Sequence, residues 1–492
     1  MEKKNSKGRK NIEIERRQFV KSSAALAALP FWGITPFLDD TRKDESEFLN
    51  NRDEAKTPNK MNASHALSDL LQFPFLNALF GRRARRFGLG MEIPSGPLAY
   101  RSEKEPVPLS EIEQMLLVAA ATGVSGWNFG VPFSPAVPTS HAEFTLRFTG
   151  RTAPTAAGLG TPALFFTDDD GCYCTRTRDV KPTDMQELNN GEDALKHIVA
   201  VCREQTARIK PGRLDLPSEP PHILPPNLWW ANKPGSTLFM PVADTAEECL
   251  GIVALMIRHG AMVVDEQTGN PAGNLEPFVR SGLLDSHKRF PISELLAIVS
   301  EGACLAAGFK GHNMVLMLQA MGLGGLYFSG LDDMSIMGAR IKDGIAGLGF
   351  EFVEDERWVT PNPVGLKGVY ESLCPPFYPD MHAAVKVFVQ RKFGENGAYK
   401  PNPSGPWRDG QEVKKTVEPY SQDFVDCMSE VAQYIYNKFG KFPGLRSTIM
   451  MPGFVQAHHL DIEFYDKFFK SGAYLESHLH HMKAWHSEKH LG

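Results

Sequence analysis

The chain has 492 residues, 42% of them hydrophobic and 23% charged, with a formal net charge of −5. That is the composition of a folded globular protein, long enough for two or three domains at roughly 100–200 residues each, and so small a charge leaves no electrostatic footprint for nucleic acid. No apolar run approaches the roughly 20 residues that span a bilayer, and seven cysteines are too few and too scattered for a disulfide framework. Only Cys172 and Cys174 lie close together. One intervening residue is not a zinc-site spacing, so they read as half-buried strand cysteines.

At the N-terminus a basic stretch (Lys3, Lys4, Lys7, Arg9, Lys10) leads into Arg16-Arg17-Gln18-Phe19-Val20-Lys21 and the small-residue run 22–29. This resembles a twin-arginine export signal, with Glu15 where Ser or Thr is usual. The resemblance implies a periplasmic or otherwise exported protein, handled by the twin-arginine machinery and cleaved between Ala25 and Phe37. Because that route carries folded proteins, it also favours a tightly bound cofactor. The alternative is a basic arm followed by a small helix. Residues 1–37 are read as signal and 38–62 as a flexible polar linker, too poor in apolar residues to pack.

Structure is expected from about residue 63. Leu67, Leu70, Leu71, Phe75, Leu76 and Leu79 recur at helical spacing over residues 64–80. Arg82-Arg83-Ala84-Arg85-Arg86-Phe87 follows, and then a Gly/Pro-rich loop. Ser110 caps the next helix and Glu113 completes a capping box; Gly123 ends it. The turn Val124-Ser125-Gly126-Trp127-Asn128-Phe129 comes next. Strands are expected at 144–149 and 163–167, a helix at 192–210, a strand at 237–242, and a helix at 245–259 capped by Thr245. Two helices, 292–308 and 309–321, run into Gly322-Leu323-Gly324-Gly325, with a short strand at Leu326-Tyr327-Phe328. Helix, strand and loop interleave without strict βαβ order, which argues for α+β.

Three of these segments carry chemistry. Four arginines in five residues are either a solvated basic surface or a clamp of forked donors for a phosphate. Ser125 and Asn128 either cap a polar turn or hold the heteroatoms of a ring. The glycines after the apolar helix 311–321 allow a C-cap at Gly322 and close approach of backbone to something flat.

Taken in order, the three segments resemble the nitroreductase family of FMN-dependent oxidoreductases. Arg82-Arg83-Ala84-Arg85-Arg86 stands in the place of an Arg-Arg-Ser-x-Arg run. Pro106-Val107-Pro108 and Ser125-Gly126-Trp127-Asn128 fit a Pro-Val helix start and a Pro-Ser-x-x-Asn turn, with Val124 for Pro. His312-Asn313-Met314-Val315-Leu316 and Gly322-Leu323-Gly324 match a Gln-Asn-Met-x-Leu … Gly-Leu-Gly helix, with His312 for Gln. Ala84 replaces the usual Ser, and a C-terminal basic pair is matched only by position, at Arg340 and Lys342. The resemblance spans about residues 63–352.

It implies a nitroreductase-like central mixed sheet flanked by helices over residues 63–369, with a mainly helical, His-rich extension over 370–492. It also implies a homodimer with FMN bound non-covalently between subunits. Arg82, Arg83 and Arg86 would take the phosphate and ribityl end, Ser125 and Asn128 the isoalloxazine edge, and Asn313, Gly322, Gly324 and Gly325 the rest of the cradle. The implied activity is hydride or electron transfer from a donor to an electron-poor small molecule, with no catalytic acid or base specified. Trp229, Trp230, Tyr327 and Phe328 read as core, with the lining of the acceptor site as the alternative.

The C-terminal third carries a helix at 423–439 and then His458-His459-Leu460-Asp461, His478-Leu479-His480-His481 and Trp485-His486. No recognised metal signature is present, and polar surface or core-edge histidines account for the pattern. Should a metal bind, His458, Asp461, His478 and His481 are the candidate ligands. Two other functions therefore remain open: a metal-dependent enzyme built on this cluster, and a cofactor-free exported binding protein on the same scaffold.

Overall fold

The computed structural model describes residues 60–127, 149–154, 162–177, 191–394, 407–415 and 419–486. The expected signal peptide, most of the linker and Asn128 lie outside the described residues.

The first apolar run is two helices, α1 (Lys60–Gln72) and α2 (Phe75–Phe80), parted at Pro74, whose ring and missing N–H stop a helix. Helix α3 (Glu111–Thr122) begins with the expected capping box of Ser110 and Glu113. Strands β1 (Ala163–Thr167) and β2 (Gly171–Thr175) form a hairpin. Helix α4 (Gly191–Glu204) is shorter than expected, because β3 (Thr206–Pro211) pairs with β2 instead of prolonging it. Strand β4 (Thr237–Asp244) runs directly into α5 (Thr245–Arg258). The cap of α5 is Asp244, which accepts from the Ala246 and Glu247 amides at 3.0 and 3.4 Å. Thr245 instead donates its hydroxyl to the Ser447 and Thr448 carbonyls.

Then come α6 (Ile292–Met321), β5 (Gly324–Phe328), α7 (Met381–Phe393), α8 (Gln422–Phe439), β6 (Ile449–Met450), β7 (Phe454–His458), α9 (Ile462–Phe468) and α10 (Glu476–Trp485). The central sheet has the order β5-β7-β4-β1-β2-β3, with β6 also on β4. Its pairs are antiparallel. Parallel pairing falls in a small sheet, between Ala261–Asp265 and Asp285–Pro291. The architecture is α+β, with a helical C-terminal region.

That region is not an appendage. Strand β7 lies between β5 and β4 at the heart of the sheet, so the expected boundary at residue 370 divides one core. Strand alternation explains the two faces. Phe165, Leu238 and Met240 enter one apolar cluster with Trp230, Phe350 and Phe454. Leu164, Phe166, Phe239 and Val455 enter the other, with Met115, Leu116 and Leu318 from the helices. A third cluster gathers α5, the first half of α6, α7 and α8. Cys172 and Cys174, two residues apart on β2, both face the first cluster and are fully buried.

Where two helices were expected, α6 is a single helix of 30 residues. Gly302 and Gly311 within it are contact points rather than breaks. A Cβ on Gly302 would lie 2.3 Å from Glu248 Oε1, and one on Gly311 would lie 2.3 Å from the Tyr327 ring. Against the sequence expectation, this helix is long and apolar enough to cross a bilayer by length and composition. In the fold it packs on α3 and α5 as a core helix.

Candidate functional site

The arginine run and the glycine-stopped helix meet in space. The Gly325 amide donates to the Arg85 carbonyl at 2.8 Å, forming an isolated bridge. The Arg85 guanidinium turns inward, donating to Gln319 Oε1 on α6 at 2.5 Å and to the Ala473 carbonyl at 2.8 Å. Burial pulls this guanidinium down to about 10, so it stays charged at neutral pH. Arg85 is thus the buried anchor of the run, a role that sequence spacing does not single out.

Its neighbours Arg82, Arg83 and Arg86 are exposed. Arg83 donates to the Phe80 and Arg82 carbonyls at 2.9 and 2.7 Å, and Arg86 lies over the Trp230 ring at 5.7 Å. Among the described residues none of the three pairs with a carboxylate. These are forked cationic donors open to an anion.

The glycine cluster is used differently. Gly322 takes the left-handed C-cap of α6 with φ +82°, as a glycine there should. A Cβ at Gly322 would lie 2.1 Å from the Ser477 carbonyl oxygen, at Gly324 2.7 Å from His458 Nε2, and at Gly325 1.9 Å from the Gln456 carbonyl oxygen. The close approach these residues permit is therefore to the chain's own C-terminal third. An anionic phosphate end fits the arginine run; a flat ring laid on residues 322–325 does not fit, since protein already fills that side.

Ser125 is exposed on the strand Val124–Trp127. Asn313 ties α6 to the end of α3: its Nδ2 donates to the Ala120 carbonyl at 3.3 Å and the Thr152 carbonyl at 2.8 Å. Arg340 pairs with Asp332 at 3.1 Å and Lys342 with Glu354 at 3.5 Å, so both positional candidates for a basic pair face acids. Trp230 and Phe328 are core, ring to ring at 4.5 Å, while Tyr327 is partly exposed and covers Gly311 and Gly453.

Of the four candidate metal ligands, two make local hydrogen bonds and a third, His458, is packed away from the others. His458 packs against Gly88 and Gly324, and burial pushes its imidazole down to about 3. Asp461 caps α9, accepting from the Phe464 amide at 3.2 Å. His478 accepts from the Leu475 amide through Nδ1 at 3.2 Å, and burial likewise takes it down to about 3. Only His481 joins a convergent set, with Glu113, His459 and His486. The density of histidines marked the region. Glu113 escaped notice because its capping role already accounts for a carboxylate at that position.

No protein-family model matches the chain, and no curated protein matches it. Among solved structures, the chain is similar to the crystal structure of a candidate nitroreductase from Ralstonia eutropha JMP134, at 12% identity and a TM-score of 0.24, over 62% of this chain and 85% of that one. So distant a likeness says nothing about activity, which rests on the residues themselves.

Proposed function

We propose that this chain is an exported, FMN-dependent oxidoreductase of the nitroreductase type, passing hydride or electrons to an electron-poor small molecule and working as a homodimer. The observation that supports the reading is the junction of its first and third motifs. Two segments about 240 positions apart in the chain are joined by the Gly325 amide on the Arg85 carbonyl and by the Arg85 guanidinium on Gln319. That anchoring leaves Arg82, Arg83 and Arg86 facing outward as a cationic edge.

In this reading Arg82 and Arg86, with Arg83 between them, hold the phosphate end of the cofactor. Glycines 322, 324 and 325 serve packing, so the ring lies away from them, towards Ser125 or across a subunit boundary. When bound, the flavin supplies two-electron chemistry that asks the protein for orientation and electrostatic tuning rather than a strong acid or base.

The test is retention. The double variant Arg82→Ala with Arg86→Ala should emerge colourless where the parent is yellow, with a thermal midpoint close to the parent's, because exposed substitutions usually change stability by within about 0.5 kcal/mol. A double variant that holds flavin as tightly as the parent removes the arginine assignment.

A further inference from the structure

Four side chains from distant parts of the sequence bring their terminal atoms to one spot. Glu113, fully buried on α3, places Oε1 at 3.2 Å from His459 Nε2, 2.7 Å from His481 Nε2 and 3.2 Å from His486 Nε2. His486 Nε2 and His459 Nε2 are 3.0 Å apart, and all four atoms lie within 4.8 Å of one another. Donors bound at 2.0–2.1 Å around a tetrahedral ion stand about 3.3 Å apart, which is the scale of these separations.

The hydrogen bonds behind the cluster determine what it can accept. His459 Nδ1 lies 2.8 Å from the Val107 carbonyl oxygen, and His481 Nδ1 lies 2.7 Å from that of Met321. A carbonyl oxygen only accepts, so each Nδ1 carries a proton, and where that is the ring's only proton Nε2 presents a lone pair. Glu113 is fixed in the same manner. The Ser110 amide and hydroxyl both donate to Oε2 at 2.6 Å, turning Oε1 into the cluster. His481 Nε2 is buried and makes no hydrogen bond, although it is 2.7 Å from that carboxylate oxygen. In that form two imidazole lone pairs and a carboxylate oxygen face one another away from water, an arrangement that is costly unless a cation lies between them. Backbone carbonyls on the far nitrogen are also how metal-bound imidazoles are oriented.

We propose that Glu113 Oε1 and the Nε2 atoms of His459, His481 and His486 form a site for one divalent transition-metal ion of the zinc class. Three neutral imidazoles with one carboxylate suit zinc; the oxygen-rich shell that calcium or magnesium requires is absent from this donor set, as is the thiolate that favours copper(I). Four protein donors complete a tetrahedron, the pattern of a structural rather than a catalytic ion. The ion clamps α10 and the residues following β7 onto α3, joining Glu113 to His459 across 346 positions of chain. The site shares no residue with the arginine run, so it stands or falls independently of the flavin.

The experiment uses the full chain, stripped with a chelator and titrated with zinc against a chromophoric competitor, with cobalt(II) added in parallel to report coordination. The wild type should bind about one zinc per chain, with the intense visible bands of tetrahedral cobalt. Glu113→Gln, which keeps an acceptor for the Ser110 cap, and His486→Ala, at the half-buried edge, should each weaken zinc binding by at least about tenfold. His480→Ala, exposed on the same helix, should bind as the wild type does. The proposal is overturned if the wild type takes up no zinc, if cobalt reads as six-coordinate, if Glu113→Gln and His486→Ala bind unchanged, or if His480→Ala weakens binding as much as they do.

Discussion

Asp265, at the end of the strand Ala261–Asp265, has almost no exposure and three donors on its carboxylate. Lys438 Nζ lies 2.6 Å from Oδ1, the Tyr434 hydroxyl donates to Oδ2 at 2.7 Å, and the Gln267 amide donates to Oδ1 at 3.0 Å. Burial alone would raise this carboxyl; the three donors outweigh it and hold it at about 2. A depressed carboxyl contributes stability that is fully present above its unfolded value of about 4 and is lost as pH falls through about 2. Asp265→Asn should therefore be less stable than the wild type in neutral denaturant melts, with the gap closing between those two pH values; a gap independent of pH would contradict this account.

Glu113 shows what a sequence conceals at the same scale. Its capping role is legible from Ser110 three residues before it, and the structure has that cap. Its second oxygen is not legible, because the histidines it faces arrive from the other end of the chain. Of the candidates that the histidine-rich tail offered, only His481 joins the set that converges on Glu113. His458 and His459 are adjacent and point to opposite sides, and spacing does not tell which side is which.

Among the elements, local signals served best where the chain decides locally. Gly123 and Gly322 end their helices as read, and Ser110 starts one. Expectations failed where tertiary partners decide. Residues 206–211 join a sheet because β2 offers an edge, and α6 continues past Gly308 and through Gly311, where the Tyr327 ring occupies the space a side chain would take. The cap at Gly322 is the sharpest case. Its φ is +82°, and a Cβ would lie 2.1 Å from the Ser477 carbonyl oxygen. Gly322→Ala should cost at least about 1–2 kcal/mol from the left-handed backbone alone, with a further loss from displacing the start of α10. Urea unfolding measures it, and a variant within about 0.5 kcal/mol of the wild type would mean that α10 does not seat on this turn.

The whole molecule is held together by returns of the chain. Strand β7 threads between β5 and β4, Ser477 closes over Gly322, and Glu113 meets histidines from the last thirty described residues. Composition and helix–strand interleaving were enough for the α+β class. They could not show that the C-terminal third belongs to the same sheet, since a five-residue strand among helices carries little signal of its own. The same returns fill the glycine side of the proposed flavin cradle and leave the arginine edge exposed. Flavin content therefore tests the functional account most directly: full-length protein from an exporting host is denatured, and the released cofactor is identified and counted by chromatography. The account predicts about one FMN per chain, falling to traces in the Arg82→Ala, Arg86→Ala double variant. Protein that releases no flavin and takes up none when FMN is added would contradict it.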